Sequence, residues 1–261
     1  MQRPNCSGNV MPISAELGCA MTTDSTINER SVNNHSAAKP VKEQQNRREL
    51  LMRTAEELFA IKGIDTVSLN EINKAAGQRN TSALHYHFGN KKGLIDAIVY
   101  DHYAAIDHDI NTRLDVFDAL EPADQTPRKL LECLVIPFSN QLDSPAGINY
   151  LLIVNQVFMK SSEMILKGHP DGVDRARPRA FSLFRLMMAS LPSEIRASRH
   201  VIHANMIFNA LATYAQTRRE DKAHALGSKD LFVSNLLDNL VSAMQAAPSA
   251  ETLAVIDKEK Q

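Results

Sequence analysis

At 261 residues, 44% of them hydrophobic, the chain has apolar side chains enough for a packed core. Its formal net charge of −1, from 29 basic and 30 acidic residues, excludes capture of a polyanion by bulk charge alone. Three widely spaced cysteines, Cys6, Cys19 and Cys133, fit neither a disulfide framework nor a zinc pattern.

The longest apolar runs, such as "YLLIVNQVFM" at 150–159, are too short and interrupted to span a bilayer, which takes roughly 20 apolar residues. The N-terminal "MPISAELGCAM" is broken by Glu16 and has no basic region ahead of it. The expectation is therefore a cytoplasmic protein with no membrane partner. Residues 1–40, rich in Ser, Thr, Asn, Pro and Gly without apolar periodicity, predict a disordered extension, and methionines at 11 and 21 leave open a later start.

From Pro40 the texture becomes helical, and no convincing strand alternation follows. In "EQQNRRELLMRTAEELFAIKGI", Leu50, Leu51, Thr54, Ala55, Leu58 and Phe59 form one apolar stripe ended at Gly63. A second helix opens on the capping box Ser68…Glu71, buries Leu69, Ile72 and Ala76, and stops at Gly77. A third, capped by Asn80 or Thr81, runs to about His87 with Leu84 and Phe88 inward. Asn90 caps a long fourth helix with Leu94, Ile95, Ile98, Val99 and Ile106 inward. Pro122 and Pro127 punctuate a loop, and Pro137 is expected to kink or end the helix after it. Further helices are read in "INYLLIVNQVFMKSSEMIL", "VDRARPRAFSLFRLMMASL", "SEIRASRHVIHANMIFNALATYAQTRRE" and "SKDLFVSNLLDNLVSAMQAA". The fold class is all-α, with a three-helix unit at 41–95, a larger helical body at 96–247 and a flexible tail at 248–261.

The stretch "GQRNTSALHYHFGNKKGL" at 77–94 carries the chemistry. His85 and His87 are two apart on a helix, so they point about 200° from each other and cannot share a metal ion. The spacing fits a helix-turn-helix, with Gln78, Arg79, Asn80, Thr81 and Ser82 clustered where the third helix begins. Those side chains suit base edges or phosphates, and Tyr86, His87 and Lys91 supply donors for the DNA backbone. Between Lys39 and Val99 ten Lys or Arg outnumber seven Asp or Glu. Lys39, Lys42, Arg47 and Arg48 read equally well as a basic arm on DNA or as a solvated charge run.

In "TAEELFAIKGIDTVSLNEINKAAGQRNTSALHYHFGNKKGL" the order Leu58-Phe59, Gly63, Ser68, Ala76-Gly77, Tyr86-His87-Phe88, Lys91 and Leu94 resembles the DNA-binding domain of the TetR family of bacterial transcriptional regulators, over about residues 46–96. The turn from Gly77 to Ala83 is one residue longer than the family's common pattern, and His85 stands where Tyr is usual. The resemblance implies that Ser68 caps the second helix against a phosphate and Asn70 faces the groove. It implies that Thr81, Ser82 and His85 read bases, with Arg79 a bidentate guanine reader, and that Tyr86, His87 and Lys91 hold phosphates.

The resemblance further implies a long helix leading into a ligand-binding and dimerisation body, a homodimer through the last two helices, an inverted-repeat DNA operator and a small, mainly hydrophobic effector. "HVIHANMIFNALATYA" and "LFVSNLLDNLVSAM" are apolar over more than one narrow stripe, as helices covered on two sides must be. His102, Asn155, Phe158, Met159, Phe184, Met188, His203 and Met206, together with Met187, are candidates for the effector site, fewer than half of them expected to touch the ligand.

Competing readings stay in view. An enzyme lacks support, since no Gly-rich phosphate loop, Ser/His/Asp spacing or H-E-x-x-H occurs and Cys133 sits in apolar "LLECLVIPF". No cofactor is expected. Asp101, His102, Asp107, His108 and Asp109, with His102 and Asp109 on one helix face, read as a solvated acidic face more readily than as a metal site; His200 and His203 take the same discount. A regulator answering to a protein partner, acting as an activator or acting without a ligand is the alternative, and a closed, filled core would favour it.

Overall fold

The computed structural model describes residues 38–78, 82–160 and 175–259. All regular structure among them is helical, and none of these helices is long and apolar enough to cross a membrane. The candidates Arg79, Asn80 and Thr81 lie outside the described residues, as does the extension 1–37.

Helix α1 (Ala38–Lys62) is exposed from Lys42 to Leu50 and then buries Leu51, Met52, Ala55 and Phe59. Leu50, placed in the apolar stripe by its spacing, is about half exposed instead, because the buried arc falls on Leu51, Ala55 and Phe59 one turn at a time. Gly63 ends the helix at φ +87°, a left-handed geometry only glycine adopts without strain. Helix α2 (Leu69–Ala75) begins as its sequence requires, the Ser68 hydroxyl accepting the Glu71 N–H at 3.1 Å. It closes with Gly77 N–H on the Lys74 carbonyl and Gln78 N–H on the Asn73 carbonyl, the paired bonds of a Schellman cap.

Helix α3 (Ala83–Phe88) is short. Asn90 then caps α4 (Lys91–Asp118), its Oδ1 accepting the Gly93 N–H at 2.9 Å. From α4 the side chains of Leu94, Ile98, Val99, Ile106, Ile110, Leu114 and Phe117 enter the core. The body follows as α5 (Pro127–Ser139), α6 (Pro145–Lys160), α7 (Ala176–Met187), α8 (Ser193–Arg219), α9 (Lys229–Gln245) and α10 (Ala250–Glu259). Pro137 lies two residues before the end of α5, where the lost hydrogen bond does least harm. Helix α4 packs against α3 at its start and against α5, α6 and α7 further on; α6 packs on α8, and α9 on α5 and α8. One hydrophobic cluster runs from Leu51 through Leu94 to Leu240.

Two expectations change here. The end of the chain, read as a loose tail, forms α10 with Ile256 buried, so a further helix follows the pair expected to be last. The carboxylate-imidazole cluster on α4 is no uniform solvated face. Asp107 is buried and accepts from the Ala176 N–H at 2.9 Å, the Arg175 N–H at 3.3 Å and the Asn111 amide at 3.0 Å, capping α7 from outside it. His102 turns inward and stacks on Tyr150, while Asp101 and Asp109 pair with Arg53 and Arg113.

Candidate nucleic-acid interface and core cavity

On α3, Leu84 is 1% exposed and anchors the helix to the core, with Phe88 partly buried beside it. The opposite face carries Ser82, His85 and Tyr86, spaced three and four apart, and the Tyr86 ring is 74% exposed. Tyr86 thus turns a large aromatic side chain to water beside a polar helix start. Ser68 and Asn70 at the start of α2 are also exposed, while Gln78 is half-buried and donates to the Ala76 carbonyl at 3.3 Å. The structure thus brings Ser82, His85 and Tyr86 onto one face and turns part of Gln78 back onto its own backbone.

Helix α1 adds charge to this surface. The Arg48 guanidinium lies 5.0 Å from the centre of the Phe88 ring, at the end of α3. His87 is half-buried, its ring edge-on to Tyr86 at 5.1 Å. Loss of water around it holds its pKa below the ordinary value, and the nearby charges of Arg48 and Arg47 add to the effect. Arg47 and Arg48 therefore stand beside α3, the position a backbone contact would need; Arg47 also pairs with Glu43 at 3.5 Å. Lys91, at the start of α4, lies 5.7 Å from the centre of the Phe59 ring. Lys62 pairs with Glu71 at 2.6 Å, which ties α1 to α2 and holds the Glu71 carboxyl below its usual range.

In the body, a cavity of about 410 Å³ opens between α4, α5, α6, α7 and α8. Its walls are mostly aliphatic and aromatic, including Val99, Leu131, Phe138, Tyr150, Val154, Phe158, Phe181, Phe184, Ile207 and Phe208. Of the residues named from the sequence for an effector site, Phe158, Phe184 and His203 line it, and His200 lines it beside His203. The other candidates are placed elsewhere. Met159 is exposed at the end of α6, where its sulfur accepts from Asn209. Met188 is buried in the core, and Met187 and Met206 are packed against it. Asn155 is off the cavity wall, its Oδ1 buried without a hydrogen-bond partner among the described residues. His102 lies behind Tyr150, their rings stacked at 4.8 Å, and its Nε2 is 3.4 Å from the buried Glu56 carboxylate of α1.

His203, paired by its spacing with His200, is 2% exposed, its two ring nitrogens facing the carbonyls of Arg199 and Leu240 at 2.8 and 2.9 Å. His200 stands edge-on to Phe181 and Phe184 at 4.6 and 5.4 Å, and burial lowers its pKa. Tyr150 and the α1 contact made by Gln156 escaped sequence reasoning, because each sits on an ordinary amphipathic helix with no local signature. Among the described residues no cluster of His, Cys, Asp or Glu could hold a metal ion. The buried Cys133 thiol is pushed up to about 11 by desolvation, unlike an activated nucleophile.

On the outer side of the body, Val201 and Ile202 of α8 and Leu231 of α9 are exposed. The rest of the outward face of α9, with Asn235, Asp238, Asn239 and Ser242, is polar. The second apolar stripe expected on this helix is therefore narrower than its composition suggested.

Residues 51–98 match the family model described as bacterial regulatory proteins, tetR family. No curated protein matches the chain. Similar solved structures include a probable transcriptional regulatory protein, 17% identical, covering 77% of this chain and 100% of the other with a TM-score of 0.48. NalD, the secondary repressor of the MexAB-OprM multidrug efflux pump in Pseudomonas aeruginosa, is 18% identical over 77% of this chain and 97% of its own, at a TM-score of 0.45. A TetR family transcription regulator from Marinobacter aquaeolei is 16% identical over 78% and 97%, at a TM-score of 0.46.

Proposed function

We propose, from the premise that this chain belongs through residues 51–98 to the tetR family of bacterial regulatory proteins, that it is a dimeric transcriptional repressor released from DNA by a small, mainly apolar effector. The observation that carries the reading is the outward face of α3, where Ser82, His85 and the 74% exposed Tyr86 stand opposite the buried Leu84, with Arg47 and Arg48 alongside. Residues 41–95 are the DNA-binding domain and 96–247 the effector-binding and dimerisation domain. Ser82 and His85, with Arg79 and Thr81, read base edges; Ser68, Tyr86, His87 and Lys91 hold phosphates. The exposed Val201, Ile202 and Leu231 support pairing of two copies through α8 and α9. Two-fold symmetry then sets the recognition helices about 34 Å apart on an inverted repeat.

The cavity supports the effector. Helix α4 contacts α3 at one end and gives Val99, Tyr103 and Ile110 to the cavity wall further on, so it is the lever between the two. A ligand that prefers the conformation with badly spaced α3 helices weakens DNA binding by that preference, typically about 1–3 kcal/mol.

Fluorescence anisotropy on a duplex from the gene's own upstream region, across a salt series, tests the DNA reading. Wild type is expected to bind with a steep salt slope, and Lys91→Ala to lower that slope by about one. Tyr86→Ala is expected to weaken binding at every salt concentration. Failure of folded wild type to select any duplex from a random-sequence pool would overturn the reading. A reporter behind the selected operator is expected to rise when the gene is deleted; a fall would make the protein an activator.

A further inference from the structure

The cavity wall contains a buried hydroxyl with no hydrogen-bond partner among the described residues. Tyr150 of α6 is fully buried and lines the cavity, and its hydroxyl has no hydrogen-bond partner among the described residues. A buried hydroxyl left without an acceptor is costly, and native interiors rarely leave one so. Burial drives the phenol pKa upward, so the group stays protonated and acts as a donor.

Among the other polar side chains of the wall, Tyr100 and Tyr103 have interactions of their own. Both ring nitrogens of His203 face backbone carbonyls. The His200 ring is wedged against Phe181 and Phe184, and Arg177 has interactions of its own. What the Tyr150 hydroxyl lacks is an acceptor; most of the wall around it is apolar surface, where an unpaired anion would pay heavily for lost water.

We infer that the cavity takes an apolar ligand bearing one uncharged hydrogen-bond acceptor, a ketone, ester or ether oxygen, which receives the O–H of Tyr150. This rests on the effector reading above and narrows it to a ligand class. It also makes Tyr150 the specificity-determining residue, since a wholly hydrocarbon ligand of the same shape leaves the hydroxyl unanswered.

Three probes of similar size test it by isothermal titration on the full chain: 2-acetylnaphthalene, 2-isopropylnaphthalene and 2-naphthoate. Wild type is expected to bind the ketone at least about tenfold tighter than the hydrocarbon and tighter than the carboxylate. Tyr150→Phe keeps the ring and removes a hydroxyl with no hydrogen-bond partner among the described residues, so its melting temperature should not fall. It is expected to bind the hydrocarbon as wild type does and to lose the preference for the ketone. Equal binding of ketone and hydrocarbon by wild type, a preference that survives Tyr150→Phe, tightest binding of the carboxylate, or no binding of any probe would each overturn the inference. Release of the operator duplex is scored separately. Tyr150-dependent ketone binding without release keeps the ligand class and removes the effector reading.

Discussion

Gln156 accepts the backbone N–H of Ile64 at 2.8 Å and, through the other end of the same amide, donates to the carbonyl of Phe59 at 3.3 Å. One side chain of α6 thus closes the end of α1, and the same helix gives Tyr150, Val154 and Phe158 to the cavity. The body and the end of α1 therefore share a connection besides the continuous chain of α4.

Replacing this amide with an apolar group of similar size leaves the Ile64 N–H without its partner. Gln156→Leu is expected to cost about 1–3 kcal/mol in urea unfolding. The neighbouring surface pair Lys160–Asp65 should compensate little. If α6 carries part of the coupling, the variant also blunts release of DNA by the effector; unchanged stability and unchanged release together would discard the connection.

Asp107 holds the start of α7 by two backbone N–H groups and the Asn111 amide. Asp107→Ala removes a buried acceptor from three donors, and about 2–3 kcal/mol of stability should go with it. Thermal melting reads this as a drop of several degrees. Asp109→Ala, whose carboxylate is part-exposed and paired with Arg113, is the control expected to change little.

At Gly93 a methyl group would collide with the Phe88 carbonyl oxygen. The first turn of α4 packs this closely on the end of α3, so Gly93→Ala must push the two helices apart. We expect at least a tenfold loss of operator affinity with a melting temperature only moderately lowered, measured by anisotropy and calorimetry. Full affinity would mean that the position of α3 on DNA is not set by this contact.

His87 links the interface to pH. Its folded-state pKa lies below the ordinary value of about 6.5, so above that pH both folded and unfolded states are neutral here and stability is unaffected. As pH falls through 6.5 the unfolded chain takes up the proton first, and stability declines until the folded-state pKa is passed. A phosphate beside the ring acts in the opposite sense by favouring the imidazolium, so operator affinity is expected to rise between pH 7.5 and 6. His87→Gln should flatten that part of the profile. A wild-type profile already flat over this range would take His87 away from the phosphates.

Much of this protein can be read without a structure. The capping box at Ser68, the stops at Gly63 and Gly77 and the Asn90 cap are local devices, each satisfied by atoms within a few residues, and each appears where its sequence places it. The burial of Leu84 and Phe88 likewise follows from helical spacing, which is why the exposed face of α3 could be named in advance.

Contacts between distant parts of the chain were another matter. Phe158, Phe184 and His203 reach the cavity while Met159, Met188 and Met206 do not, although all sit on apolar helices of similar texture. Which side of a helix meets an empty space depends on how its neighbours pack, and periodicity reports only that a side is covered. Asp107 looked like one more acid on a charged stretch until α7, 69 residues along, delivered Ala176 to it. Tyr150 and Gln156 have no motif at all: the first matters because its hydroxyl is buried beside a void, the second because the end of α1 arrives 97 residues away from it in sequence. Local hydrogen bonding and periodicity are written in consecutive residues, so the sequence alone determined the caps, the stops and the buried side of the early helices. The cavity, the unpartnered hydroxyl of Tyr150 and the links to α1 arise from the packing of remote helices, and only the tertiary structure decided them.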